Sequence, residues 1–168
     1  MQRRFCLALL AAGMSLGLVS CGFALRTTPQ FAFKSLFSPL AESSLLGTAL
    51  KRSLASGGNV RVISDVRQID QADVILDVLK EQREKTVVAV NASGQVREFQ
   101  LRIRFSFKLR NTQGKELIPT TEIVQQRDIS FNESAVLAKE SEEGLLYREM
   151  QNDIVQQIMR RLAAVTSL

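Results

Sequence analysis

Over residues 99–110 the chain alternates without a slip. Phe99, Leu101, Ile103, Phe105, Phe107 and Leu109 take one parity, and Gln100, Arg102, Arg104, Ser106, Lys108 and Arg110 take the other. Successive side chains of a strand point to opposite faces, so this pattern predicts one long β-strand with a dry face and a wet face. Few folds accommodate it. The aromatic face must be covered, and a slip of one residue would put every phenylalanine in water, so the register is strongly specified.

Turn signals flank the strand. Asn91-Ala-Ser-Gly94 precedes it and Asn111-Thr-Gln-Gly114 follows it, so its neighbours return antiparallel. Residues 121–131 read as one partner. Residues 72–80 and 86–91, rich in valine and isoleucine, read as a longer strand or a broken pair. Upstream, an extended arm enters a strand around residues 30–36, between Pro29 and Pro39, and residues 59–65 read as another short strand.

Two amphipathic helices supply the cover. Leu45, Leu46, Ala49, Leu50 and Leu54 recur at three- and four-residue spacing before Gly57-Gly58 ends the run. Leu146, Met150, Ile154, Ile158 and Leu162 repeat every four residues in a long helix over roughly residues 133–164. Asn132 is its expected N-cap, Gly144 a weak point, and Arg160 and Arg161 suit its C-terminal dipole. The expected fold is α+β: a two-layer sandwich with two amphipathic helices on one face of a mostly antiparallel sheet of about four strands, the other face polar.

The N-terminus speaks to location. Met1-Gln2-Arg3-Arg4 is a short basic segment, residues 5–19 are apolar, and Leu18-Val19-Ser20 leads into Cys21. This resembles the lipobox of bacterial lipoproteins, where the cysteine takes diacylglycerol and the chain is cut before it. An ordinary cleaved signal peptide and an uncleaved anchor are the competing readings. With a lipobox, residues 1–20 are a removed signal peptide, residues 21–168 form the domain, and Cys21 is the lipidation site. Gly22, in place of an aspartate, points to the outer membrane, lipid-anchored on the periplasmic side. Three acyl chains, a palmitate among them, would hold the protein firmly there.

Composition narrows the chemistry. The chain has no histidine, and Cys6 lies in the part removed, so no disulfide joins two cysteines of the mature domain. The usual zinc sites and Cys-His or Ser-His nucleophile systems are out of reach. Neither a cofactor nor a metal is expected beyond the lipid on Cys21. Asp70, Asp73 and Asp77 fit a loop entering a strand better than an oxygen-ligand loop. The net charge is +5, and Arg3 and Arg4 account for two of those charges; the remaining excess of three does not mark a nucleic-acid binder. On the wet face, Arg102, Arg104, Lys108 and Arg110 either keep an exposed sheet soluble or form a ladder of cations, roughly 6–7 Å apart, able to meet phosphates.

Four stretches in order carry a resemblance. They are Cys21-Gly-Phe-Ala-Leu-Arg26, Gly94-Gln-Val-Arg-Glu-Phe-Gln-Leu101, Val136-Leu-Ala-Lys-Glu-Ser-Glu-Glu143 and Met150-Gln-Asn-Asp-Ile-Val-Gln-Gln-Ile-Met-Arg-Arg-Leu162. With the lipobox ahead of them, the chain resembles the LptE family of lipopolysaccharide-assembly lipoproteins. The resemblance implies no enzyme but a plug for the large outer-membrane β-barrel LptD, which it helps to assemble, and a subunit that binds lipopolysaccharide on its way to the cell surface. A freestanding periplasm-facing lipoprotein, acting as ligand carrier or chaperone, is the alternative. The family's two basic ligand positions fall on Lys139 and on Ala92, which carries no charge. Arg97 is the candidate to replace the missing cation, with Arg102 and Arg104 in support.

Overall fold

A computed structural model describes residues 29–168 except 42 and 59. The lipobox, Cys21 and the arm to Arg26 lie outside the described residues. In chain order the elements are β1 (Ser35–Phe37), α1 (Leu45–Gly58), β2 (Arg61–Ile63), a 3-10 turn (Val66–Gln71), β3 (Val74–Val90), β4 (Val96–Asn111), β5 (Glu116–Ser130), a second 3-10 turn (Glu133–Ala135) and α2 (Val136–Ala163).

They build one five-stranded sheet in the order β2-β1-β3-β4-β5. The two-layer α+β reading holds, with five strands in place of about four. The long strands are antiparallel, and β4 lies between its hairpin neighbours with Phe107 opposite Val78 and Thr121. The short strands pair in parallel, β1 with both β2 and β3. Parallel neighbours need a crossover. Helix α1 makes one crossover on the helical face, and the stretch from β2 to β3, with its 3-10 turn, makes the next.

One consequence corrects the expectation of a wholly polar second face. Phe37, Ile63, Ala72 and Ile75 form a small separate core, with Ile69 of the 3-10 turn packed against it. The main core lies on the other side, where the odd-numbered residues of β4 meet Leu46, Leu50 and Leu54 of α1 and Met150, Ile154, Ile158 and Leu162 of α2. Strand β3 is continuous rather than broken, with a bulge between Val78 and Lys80. Asn132 caps the 3-10 turn that precedes α2, accepting from the Ser134 N–H at 3.1 Å, and α2 runs on through Gly144.

A glycine lets the chain close tightly where α1 starts. A Cβ on Gly47 would stand 2.9 Å from Leu40 Cβ and 3.1 Å from the Ala41 carbonyl oxygen. Neither neighbour is a flexible side-chain end. Gly47→Ala is therefore expected to destabilise the domain by about 1–2 kcal/mol, although alanine is the better helix former. Urea unfolding of the two proteins checks this; a variant as stable as the parent would show that the loop at residues 40–44 yields.

Candidate functional site

The ends of the domain differ. At one end lie the entry to β1 and the turn at Asn111. At the other lies the β3–β4 hairpin, where Asn91 closes a tight loop by accepting from the Gly94 N–H at 3.0 Å, and Gly94 takes a φ of +81° that suits glycine. Helix α2 begins beside this hairpin. Lys139 Nζ donates to Ser130 Oγ at 3.0 Å, and Ser130 pairs with Glu98. Arg97 is next to Glu98, exposed, and its carbonyl accepts from the Phe131 N–H at 2.7 Å. The fold thus brings Lys139 and Arg97 to the same end of the molecule.

A hollow of about 230 Å³ opens between that hairpin and the first turns of α2. Phe99, Ile129, Phe131 and Val136 line it, with Lys85 and Lys139 at its rim. The two rings meet edge to face at 5.3 Å, and Lys85 Nζ stands 4.4 Å from the centre of the Phe99 ring. Each lysine has a carboxylate from α2: Lys85 pairs with Glu143 at 2.6 Å, and Lys139 with Glu142 at 2.8 Å. Lys85 was missed in the sequence. Its only signal is parity, since it sits opposite Leu101 and so shares the aromatic face.

Tyr147, one turn beyond Glu143, joins the helix to the sheet by donating to the Glu84 carbonyl at 3.0 Å. Burial and the Glu143 charge push its hydroxyl above the usual range, partly offset by Arg83, whose guanidinium lies 5.3 Å from the ring centre.

Arg102 and Arg104 lie on the opposite face, away from Lys139. Their register brings acids against them: Glu84 is 3.7 Å from Arg102 and 3.4 Å from Arg104, and Glu122 is 4.0 Å from Arg104. Farther along, Asp77 sits 2.8 Å from Arg110 and 3.9 Å from Lys108. The cation ladder is largely neutralised by cross-strand acids. Such half-exposed pairs each contribute about 0–1 kcal/mol, so their main effect is on the sign of the face.

The three aspartates have separate roles. Asp77 serves Arg110 and Lys108, Asp70 is exposed, and Asp73 accepts from the backbone N–H groups of Lys34 and Ser35 at 2.8 and 2.9 Å. Among the described residues, no group of three histidines, cysteines, aspartates or glutamates could hold a metal ion. No described helix is long and apolar enough to cross a membrane.

A family model for LptE, lipopolysaccharide assembly, matches residues 33–162. The chain belongs to the LptE family. Lipoproteins with the same fold surround it. The solution structure of uncharacterized lipoprotein B from Nitrosomonas europaea matches with a TM-score of 0.72 and 31% identity, over 86% of this chain and 92% of that one. A minor lipoprotein from Acinetobacter baumannii (TM-score 0.60, 23% identity, 80% and 93% covered) shares the fold. So does rare lipoprotein B from Shewanella oneidensis (TM-score 0.61, 21% identity, 77% and 94% covered). None of the curated proteins compared with the chain matches it significantly. As an LptE-family member, this is a lipoprotein-family domain of the Gram-negative envelope that works in lipopolysaccharide assembly.

Proposed function

We propose that residues 1–20 direct export and are removed, that Cys21 is lipidated, and that residues 21–168 sit in the lumen of an LptD-like β-barrel in the outer membrane. There the domain, lipid-anchored on the periplasmic side, helps the barrel assemble and binds lipopolysaccharide during its transport to the cell surface, without catalysis or cofactor. The observation that carries this reading is an open aromatic hollow with Lys139 at its rim, at the hairpin end of the domain where Arg97 also lies. Lysine and arginine suit phosphate, and a hollow floored by phenylalanine suits acyl chains. The neutralised outer face, studded with paired charges, fits the polar lumen of a large barrel. Arg102 and Arg104 remain a supporting contact from that face, in competition with Glu84.

Two measurements test the reading. The full-length lipoprotein, extracted in mild detergent, is expected to co-purify with a large β-barrel; its recovery without any barrel protein would overturn the plug and favour a freestanding carrier. The double variant Lys139→Glu, Arg97→Glu is expected to bind lipopolysaccharide at least about tenfold more weakly while melting within a few degrees of the parent, because Arg97 is exposed and the half-buried Lys139 lies outside the main core. Undiminished binding would remove both residues from the site.

A further inference from the structure

Both lysines at the rim of the hollow already hold an anion, and both anions belong to the protein; Glu143 lines the hollow, together with Glu140, and Glu142 reaches Lys139 from beside it. Glu143 Oε2 stands 2.6 Å from Lys85 Nζ, and Glu142 Oε2 stands 2.8 Å from Lys139 Nζ. Both acids come from the same stretch of α2, one residue apart. Each carboxylate oxygen occupies the distance at which a phosphate oxygen would meet an ammonium group. The lysines are held from behind as well: Lys139 by Ser130 Oγ at 3.0 Å, and Lys85 by the Phe99 ring at 4.4 Å. With the glutamates swung out, Lys139 would keep the Ser130 hydroxyl as a partner and Lys85 the Phe99 ring.

We infer that Lys85 and Lys139 form a two-cation seat for the phosphate of an acylated glycolipid, and that Glu143 and Glu142 are resident counter-anions which this phosphate displaces. The inference rests on the lipopolysaccharide-binding reading and adds to it a second cation, Lys85, and a built-in competitor. Phe99, Phe131, Ile129 and Val136 give the seat an apolar floor. At about 230 Å³ the hollow is smaller than the roughly 300–1,000 Å³ that encloses a whole small molecule. It takes the phosphate and the first carbons beside it, and leaves the rest of the amphiphile outside.

The competitor has a consequence for handling. Ligand phosphate gains two cations but must first break two ion pairs, so net affinity stays well below what two free lysines would give. When the ligand leaves, the glutamates close on the two lysines again. A seat of this kind holds briefly and lets go.

The test uses the full-length lipoprotein in a neutral detergent and three probes: lipopolysaccharide, lipopolysaccharide stripped of phosphate, and inorganic phosphate. Glu143→Gln is expected to bind lipopolysaccharide about three- to tenfold more tightly than the parent, and Lys85→Met about as much more weakly. In the double variant the gain from Glu143→Gln should vanish, since there is no lysine left to release. Glu142→Gln should act through Lys139 in the same manner. The stripped probe should not distinguish the variants, and inorganic phosphate, which cannot use the apolar floor, should bind every one of them far more weakly than lipopolysaccharide does. Unchanged binding by Glu143→Gln with a normal melting temperature overturns the seat. A gain that persists with Lys85→Met also overturns it, by reducing the effect to general surface charge. Were the parent and all variants to bind no lipopolysaccharide, the binding function itself would fall along with the seat.

Discussion

Phe105→Ala should destabilise the domain by about 3–5 kcal/mol, a large part of what holds a fold of this size together. Phe105 is fully buried at the middle of β4, opposite Glu81 on one side and Ile123 on the other. Its ring lies 5.7 Å from that of Phe107, and the main core closes over both. Alanine leaves a cavity that two long neighbouring strands, fixed by their ladders, cannot collapse to fill. Phe105→Leu keeps most of the volume and should lose only about 1–1.5 kcal/mol. Arg104→Ala, one residue away on the wet face, should change stability by less than about 1 kcal/mol, because its partners are half-exposed acids. Urea unfolding of the three variants measures the contrast. Equal losses for Phe105→Ala and Arg104→Ala would contradict the two-faced strand on which the fold depends.

Asp73→Ala should lose about 2–3 kcal/mol, for a different reason. This carboxylate sits just before β3 and accepts from the N–H groups of Lys34 and Ser35 at 2.8 and 2.9 Å, tying the start of β1 to the start of β3. Ser35 answers by accepting from the Asp73 N–H at 2.9 Å. Alanine leaves backbone donors unsatisfied at a spot where Ser35 is buried. Burial works against the Asp73 charge, but the Lys34 N–H, the Ser35 hydroxyl and N–H, and the Lys34 charge outweigh it, and the group titrates below its usual value. The unfolded chain therefore binds the extra proton first as pH falls. The stability from this group is complete above about pH 4, the unfolded value, and drains away as pH drops through the lower folded value. Below pH 4 the parent should lose stability more steeply than Asp73→Asn, and parallel pH profiles for the two would rule the linkage out.

What could be read in the sequence follows what each residue faces. Residues 99–110 announced their strand because one side of β4 is dry along its whole length. For β3 the sequence leaves one long strand and a broken pair both open, and the reason is physical. After Ile75 it outruns β1, which pairs only with Val74 and Ile75. Beyond that point Lys80, Glu81, Gln82, Arg83, Glu84 and Lys85 are polar on both faces, so no alternation remains to detect. The short strands β1 and β2 were expected in about the right places but too long, because Phe31, Phe33 and Val60 beside them pack in or against the main core without joining the ladder.

The candidate site divides the same way. Lys139 and Arg97 were reached through family resemblance and the charge that Ala92 lacks. Lys85 was hidden in the polar run of β3, and only the pairing of Lys85 with Leu101 puts it on the aromatic side. The acids that neutralise the strand arginines were equally invisible. Glu84 is eighteen positions from Arg102 in the chain and directly opposite it in the sheet.

The length of β3 also sets a scale. From Val74, beside the entry to β1, to Lys85 at the hollow is a run of one strand, and at about 3.3 Å per residue it spans roughly 35 Å. The hydrocarbon core of a bilayer is about 30 Å thick. A domain tethered by its N-terminal lipid to one leaflet and standing upright would therefore carry its lysines to the level of the opposite leaflet, before any length added by the arm. The strand would act as a ruler between two membrane surfaces, with the tether at one mark and the phosphate seat at the other.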